Sequence, residues 1–291
     1  MKNTNFQTSS KLFTTVIFLL TSLTVNAASI SSLYVFGDSL SDTSTSTNSN
    51  GPLWAEYLTP QLGFSYDGTS NFAISGSNTP DIINQISAFQ AITPVADPNA
   101  LYVLWGGAND IFQSLIFPSS TPTETIAINA ANNISNGVDI LTSMGAQNIL
   151  VPNLPDLGFV PADGTGFATR FAEIFNTQLQ SNLALNTNTR IADVFGLHHD
   201  IISDPSAYGF FNVSDACSLT GNDCNTSLFW DLIHPTTAGH QVFANEIYNA
   251  VTVVPLPASI WLFLTGVVGL FSIYKPSLFL LFQRGRTTLI S

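Results

Sequence analysis

The sequence predicts an α/β domain: a parallel sheet with helices on both faces. Two observations predict it. Short apolar runs rich in β-forming residues recur along the chain, and between them lie longer segments with helix-length apolar patterning. Such sheets place their functional groups beyond the carboxyl ends of the strands.

Five strands are expected, at Leu33 to Phe36, Asn71 to Ile74, Leu101 to Trp105, Asn148 to Val151 and Arg190 to Val194. Helices are expected over Pro52 to Leu62, Asp81 to Gln90, Thr123 to Met144, Ala168 to Leu185 and Thr237 to Val251, with Gly145 at the position after a helix end that glycine favours. The stretch Ser41 to Asn50 is low in complexity and rich in Ser, Thr and Asn, so a mobile loop is predicted. Phe195 to Phe229 shows no clear period and reads as a functional or disulfide-pinned insertion. No internal repeat is present.

Both ends of the 291-residue chain read as targeting segments. Lys2 and Lys11 precede the apolar stretch Leu12 to Val25, and Val25-Asn26-Ala27 offers the small residues a signal peptidase needs, so residues 1–27 are expected to be a signal peptide. A retained N-terminal anchor is the alternative. Residues 28–253 form the expected folded domain. In residues 254–291 the uncharged run Leu256 to Tyr274 is long enough to span a bilayer, and Lys275, Arg284 and Arg286 after it place the C-terminus inside and the domain outside.

Between these segments only Arg170 and Arg190 oppose nineteen acids. So acidic a surface speaks against nucleic acid or anionic headgroups as partners. Cys217 and Cys224, the two cysteines of the chain, sit in a polar loop of an exported protein; a disulfide is the expected state, since two Cys without a suitably spaced His cannot fill a zinc shell.

The first strand runs into Gly37-Asp38-Ser39-Leu40, which sets a serine at the carboxyl edge of the sheet. A serine acts as nucleophile only with a base in reach. Asp231-Leu232-Ile233-His234-Pro235 supplies one: the offset suits a turn in which the carboxylate takes one imidazole N–H while the other nitrogen faces the serine. Donors for a developing oxyanion are offered by the Ser39 N–H, by the backbone N–H of Gly76 at the end of NFAISG, and by the Asn109 amide in WGGAND. On local pattern alone Ser39 reads equally as a turn serine or helix N-cap; the alternatives for the others are a capping pair before the helix that Pro235 begins for Asp231 and His234, a turn-permitting glycine for Gly76, and an amide that satisfies a strand-end carbonyl for Asn109. His198, His199 and His240 carry no triad-like spacing and are expected to be surface or structural residues. Trp54, Trp105 and Phe229 are expected in the core or a cleft wall.

The segments FGDSLSDT, NFAISG, GGAND and WDLIHP resemble, in order, the blocks around the Ser, Gly, Asn and His of the SGNH hydrolases, also called GDSL esterases/lipases. The resemblance covers roughly Ser32 to Val251. It implies a flavodoxin-like three-layer α/β/α sandwich, with Ser39 as nucleophile, Asp231 and His234 completing a triad, and Ser39, Gly76 and Asn109 forming the oxyanion hole. It also implies a carboxylic ester hydrolase that needs no metal or organic cofactor and acts on a lipid or an acetylated carbohydrate. An O-acetyl esterase of exopolysaccharide and a non-catalytic surface or matrix protein are the alternatives. The segment VPLPASIWLF with its basic tail resembles a PEP-CTERM sorting signal, although VPLP replaces the usual Pro-Glu-Pro and the tail is longer. That resemblance implies an exosortase as partner and a cell-envelope or extracellular location.

Overall fold

The computed structural model describes residues 30–116, 120–163, 165–252 and 265–266. Four parallel strands, β1 (Leu33–Gly37), β2 (Leu101–Trp105), β3 (Asn148–Pro152) and β4 (Thr189–Ala192), lie side by side in that order. The expected strand at Asn71 to Ile74 is an extended segment bridged to β1 only at Val35 and Asn71. It runs beside β1 through three backbone bonds, Val35 N–H to Ser70 O, Phe72 N–H to Val35 O and Ile74 N–H to Gly37 O. The pairing stops there because the chain turns, with Ser77 N–H donating to Ile74 O and Gly76 at φ +81°. Counting that segment, the lateral order is the flavodoxin-like one.

Strand side chains alternate between two cores, as the pleat requires. Phe36, Tyr102, Leu104, Ile149 and Val151 meet α2 (Thr79–Ile92), α3 (Ala108–Ile116), α4 (Thr123–Ser143) and α5 (Phe167–Leu183). Leu33, Val35, Leu101, Val103 and Trp105 face α1 (Trp54–Gln61), α6 (Val194–Ser203) and α8 (Thr237–Thr252) on the other side. This is the three-layer arrangement. All five residues of β2 are buried, which is why its sequence reads as a continuous apolar run. Trp54 and Trp105 lie fully buried with ring centroids 6.0 Å apart.

The structure departs from the sequence reading in several places. Helices α3 and α6 were not expected; α6 begins at Val194, which the sequence assigns to a strand, because the Asp193 carboxylate accepts the Gly196 N–H and caps a new helix. Phe195 to Phe229, expected as an insertion without a clear period, holds most of α6, a small parallel pair β5 (Asn212–Ala216) and β6 (Ser227–Phe229), and the short helix α7 (Cys217–Thr220). The Cys217–Cys224 disulfide closes this segment. Finally, Ser41 to Asn50 is not a loose loop, since Ser41, Asp42, Asn48 and Ser49 are buried and hydrogen-bonded.

Residues 1–27 and, apart from 265–266, the apolar run Leu256 to Tyr274 lie outside the described residues. Among those described, no helix is long and apolar enough to cross a membrane.

Candidate active site

The chain leaves β1 at Gly37 and turns at once, with Ser41 and Asp42 N–H both donating to Asp38 O at 3.0 Å. Gly37 is required because a Cβ there would stand 2.4 Å from the Trp105 carbonyl of β2. Ser39 therefore sits on a tight turn over the carboxyl edge of the sheet.

Its partner arrives from the far end of the domain. Asp231 to His234 form the tip of a loop pinched shut by a Phe229–Pro235 bridge, with Trp230 N–H donating to His234 O at 2.9 Å and Thr236 N–H to Leu228 O at 2.8 Å. His234 Nε2 lies 2.8 Å from Ser39 Oγ, and His234 Nδ1 lies 2.7 Å from Asp231 Oδ2. With the proton on Nδ1 donated to the carboxylate, Nε2 is the acceptor for the serine hydroxyl. Asp231 Oδ1 also accepts the N–H groups of Ile233 at 2.9 Å and His234 at 2.7 Å. Burial alone would raise this carboxyl, but the hydrogen bonds from the His234 ring and the two backbone N–H groups outweigh it and hold it below its ordinary value. It is thus charged beside the imidazole at neutral pH.

Asn109, in the first turn of α3, lines the same cleft as Ser39 and His234. One of its amide hydrogens goes to Ser77 O at 2.9 Å, which fixes the plane of the amide. Gly76 precedes that serine in the turn after the extended segment. A Cβ at Gly76 would meet nothing within 4 Å, so its left-handed φ, not crowding, calls for glycine. It borders a separate shallow groove with Ile74 and Asn84 and is not among the cleft-lining residues.

Of the cleft wall, only Phe229 was expected there. Phe112, Leu157, Val160, Leu228, Phe229 and Phe243 converge on it from separate segments and leave a cavity of about 40 Å³. His198 also lines it, buried, with no hydrogen-bond partner on either ring nitrogen, and burial lowers its pKa to about 4. Asp38 lies under the serine: Oδ1 accepts the Leu40 N–H at 3.0 Å, Oδ2 has no partner, and burial pushes the carboxyl up to about 7. His240 is buried and unpartnered nearby, and His199 bonds the buried Asp156 at 2.9 Å. Among the described residues no three His, Cys, Asp or Glu side chains are grouped so as to hold a metal ion.

The sequence pattern of the GDSL-like lipase/acylhydrolase family matches residues 33–247. An uncharacterized protein from the trpE-trpG intergenic region of Pseudomonas putida is 29% identical over 75% of this chain and 48% of its own length. Lipase 1 of Photorhabdus luminescens is 28% identical over 62% of this chain and 32% of its own. The chain therefore spans about half or less of these two relatives. In fold it is similar to an acetylxylan esterase from Geobacillus stearothermophilus, with a TM-score of 0.52, 17% identity, and coverage of 77% of this chain and 94% of that one.

Proposed function

The chain belongs to the GDSL-like lipase/acylhydrolase family, and on that premise we propose that it hydrolyses carboxylic esters through an acyl intermediate on Ser39. The unbroken hydrogen-bond chain from Ser39 through His234 to Asp231 carries this reading.

In the first step Ser39 Oγ attacks the ester carbonyl carbon while His234 Nε2 takes the hydroxyl proton, and Asp231 steadies the imidazolium. The carbonyl oxygen becomes an oxyanion facing the Ser39 N–H and the free Asn109 amide hydrogen; the third donor, the Gly76 N–H, is assigned by the resemblance alone, since Gly76 borders the neighbouring groove. The intermediate collapses, the C–O bond to the alcohol breaks, and His234 returns the proton to the leaving alkoxide. A water then repeats the sequence on the acyl-serine: His234 takes its proton, the acid departs, and Ser39 is regenerated. No step calls for a cofactor.

A cavity of about 40 Å³ beside Ser39 has room for only a few non-hydrogen atoms, which favours short acyl groups such as acetyl over long lipid chains. The reading of exported, membrane-tethered enzyme rests on the sequence: the leader-like residues 1–27, the apolar run Leu256 to Tyr274, and the acidic domain between them. Signal peptidase, and an exosortase acting near Pro255 to Pro257, are the processing partners it implies.

Two measurements test the proposal. A fluorophosphonate should label Ser39 and leave Ser39→Ala untouched, and p-nitrophenyl esters should be turned over with a preference for two to four carbons. Labelling at another serine would overturn the assignment of Ser39, and no turnover at any chain length would sink the esterase reading in favour of a binding protein. A preference for long chains would overturn the short-acyl part alone. For location, a C-terminal tag that stays in the membrane fraction means a retained anchor, and loss of the tag with activity kept means processing.

A further inference from the structure

A second concavity, of about 830 Å³, opens at the end of the sheet formed by β3 and β4. Asn153 and Asp193, the first residues after those strands, line it, just as Ser39 follows β1. Because the strands are parallel, all three stand on one edge of the sheet. Two to three strand spacings of ~4.8 Å separate β1 from this end, roughly 10–15 Å. One strap, Asn153 to Leu157, runs from the groove to the cleft. Its start is fixed by Leu154, whose N–H and C=O both bond the Asn176 side chain at 2.9 Å, and its continuation, Pro155 and Leu157, lines the cleft at Ser39.

The groove's chemistry is two-sided. Its apolar surface is half-buried Ile174, Ile191 and Phe195, while Arg170, Gln180 and Glu124 stand exposed around it. A sugar ring has the matching character, with apolar C–H faces and hydroxyls that both donate and accept, which amides, a guanidinium and carboxylates can meet. A lipid chain would strip water from these polar groups without replacing it. An anionic polymer would face Glu124, Glu173 and Asp193 with only Arg170 in its favour, and Arg170 already lies 3.6 Å from Glu173.

We propose that this groove is a glycan subsite, which holds an uncharged or amino-sugar polymer so that an O-acyl group a few sugar units along reaches Ser39. The proposal rests on the ester-hydrolase reading and names its leaving alcohol: a hydroxyl of a polysaccharide.

The disulfide occupies the two cysteines of the chain, so Thr177→Cys on the groove's exposed wall gives one thiol for a bulky maleimide. On chemically acetylated xylan, glucomannan and chitosan oligomers, the blocked full-length enzyme should lose about tenfold or more in kcat/KM on at least one polymer, through KM. Its turnover of p-nitrophenyl acetate should not change. Arg170→Ala with Gln180→Ala should shift KM the same way, by a smaller factor. Calorimetry with Ser39→Ala and the same oligomers reads binding without turnover, and blocking the groove should abolish it. Equal loss on polymer and p-nitrophenyl acetate, or no groove-dependent change with any polymer, overturns the subsite. Absence of p-nitrophenyl acetate turnover by the unmodified enzyme, with groove-dependent binding intact, would instead overturn the hydrolase reading and leave a glycan-binding protein.

Discussion

Ser49 and Pro235 are joined across the active cleft: the serine hydroxyl donates to the proline carbonyl at 3.1 Å. Asn50 adds a second tie, accepting the Thr237 N–H at 2.8 Å. The loop that leaves the Ser39 turn is therefore bonded to the residues just after His234, and it holds Ser39 and His234, the proposed nucleophile and base, in register. Replacing Ser49 and Asn50 together by Ala should lower kcat by about three- to tenfold with KM little changed, and lower Tm by a few degrees, since each bond is worth about 0.5–1.5 kcal/mol net. Steady-state kinetics and a thermal melt check it; an unaltered kcat would mean the loop does not position the pair.

Ser39→Ala and His234→Ala should each remove nearly all turnover. Asn109→Ala should reduce kcat by about two to three orders of magnitude and leave KM nearly unchanged, because an oxyanion donor acts in the transition state. A change confined to KM would assign Asn109 to substrate binding instead. Asp231→Asn should also be severe, since it loses both the charge and the tautomer control that the carboxylate exerts on His234.

Asp38 imposes a stability cost at alkaline pH. Its folded-state pKa of about 7 lies above the unfolded value, so its contribution to stability is complete below about pH 4 and is lost as pH rises to about 7. Asp38→Asn keeps the acceptor for the Leu40 N–H and removes the titration. The substituted protein should melt higher than the parent at pH 8 and show no gain at pH 4; parallel pH dependences would clear Asp38 of this role.

His240 acts in the opposite sense. It is fully buried, and burial lowers its pKa to about 3, with the nearby His234 adding to the effect. The fold therefore keeps it neutral, so its contribution is complete above about pH 6.5 and declines as the pH falls toward 3. His240→Leu should flatten the loss of urea stability between pH 7 and pH 5, and an unchanged slope would place the acid sensitivity elsewhere.

The Cys217–Cys224 bridge closes a short loop, and Ser218 N–H donates to Trp230 O at 3.0 Å, one residue before Asp231. Replacing both cysteines by Ser should cost about 2–3 kcal/mol by the loop-entropy relation. Native and reduced intact masses give the redox state, and denaturant titration gives the cost.

The positions of Ser39, Asp231 and His234, a serine where a strand runs into a turn and a carboxylate three residues before an imidazole, were legible locally, but only the four blocks in order pointed to their meeting, which the structure places at 2.8 Å and 2.7 Å. The β1, β2 and β3 strands were legible for a related reason, since burial on both faces leaves unbroken apolar runs. The Ser41 to Asn50 loop was misread because composition records no partners: its serines and asparagines look solvated until Ser75, Pro235 and Thr237 are brought beside them. Helix α6 was hidden by Gly196 and by the strand-like Val194 at its start. Apart from Phe229, the cleft wall was out of reach, because Phe112, Leu157, Leu228 and Phe243 share no local pattern and meet only in the folded chain.

Ser39 and His234 are 195 residues apart, one at the exit of the first strand and the other just ahead of the last helix. No partial product of synthesis can therefore carry out the chemistry. A chain halted anywhere before His234 holds a serine without its proposed base, and a full-length chain that is still unfolded holds both without contact. On the proposed ester-hydrolase reading, competence arises only when the His234 loop closes over Ser39, so the appearance of activity during refolding would time that closure.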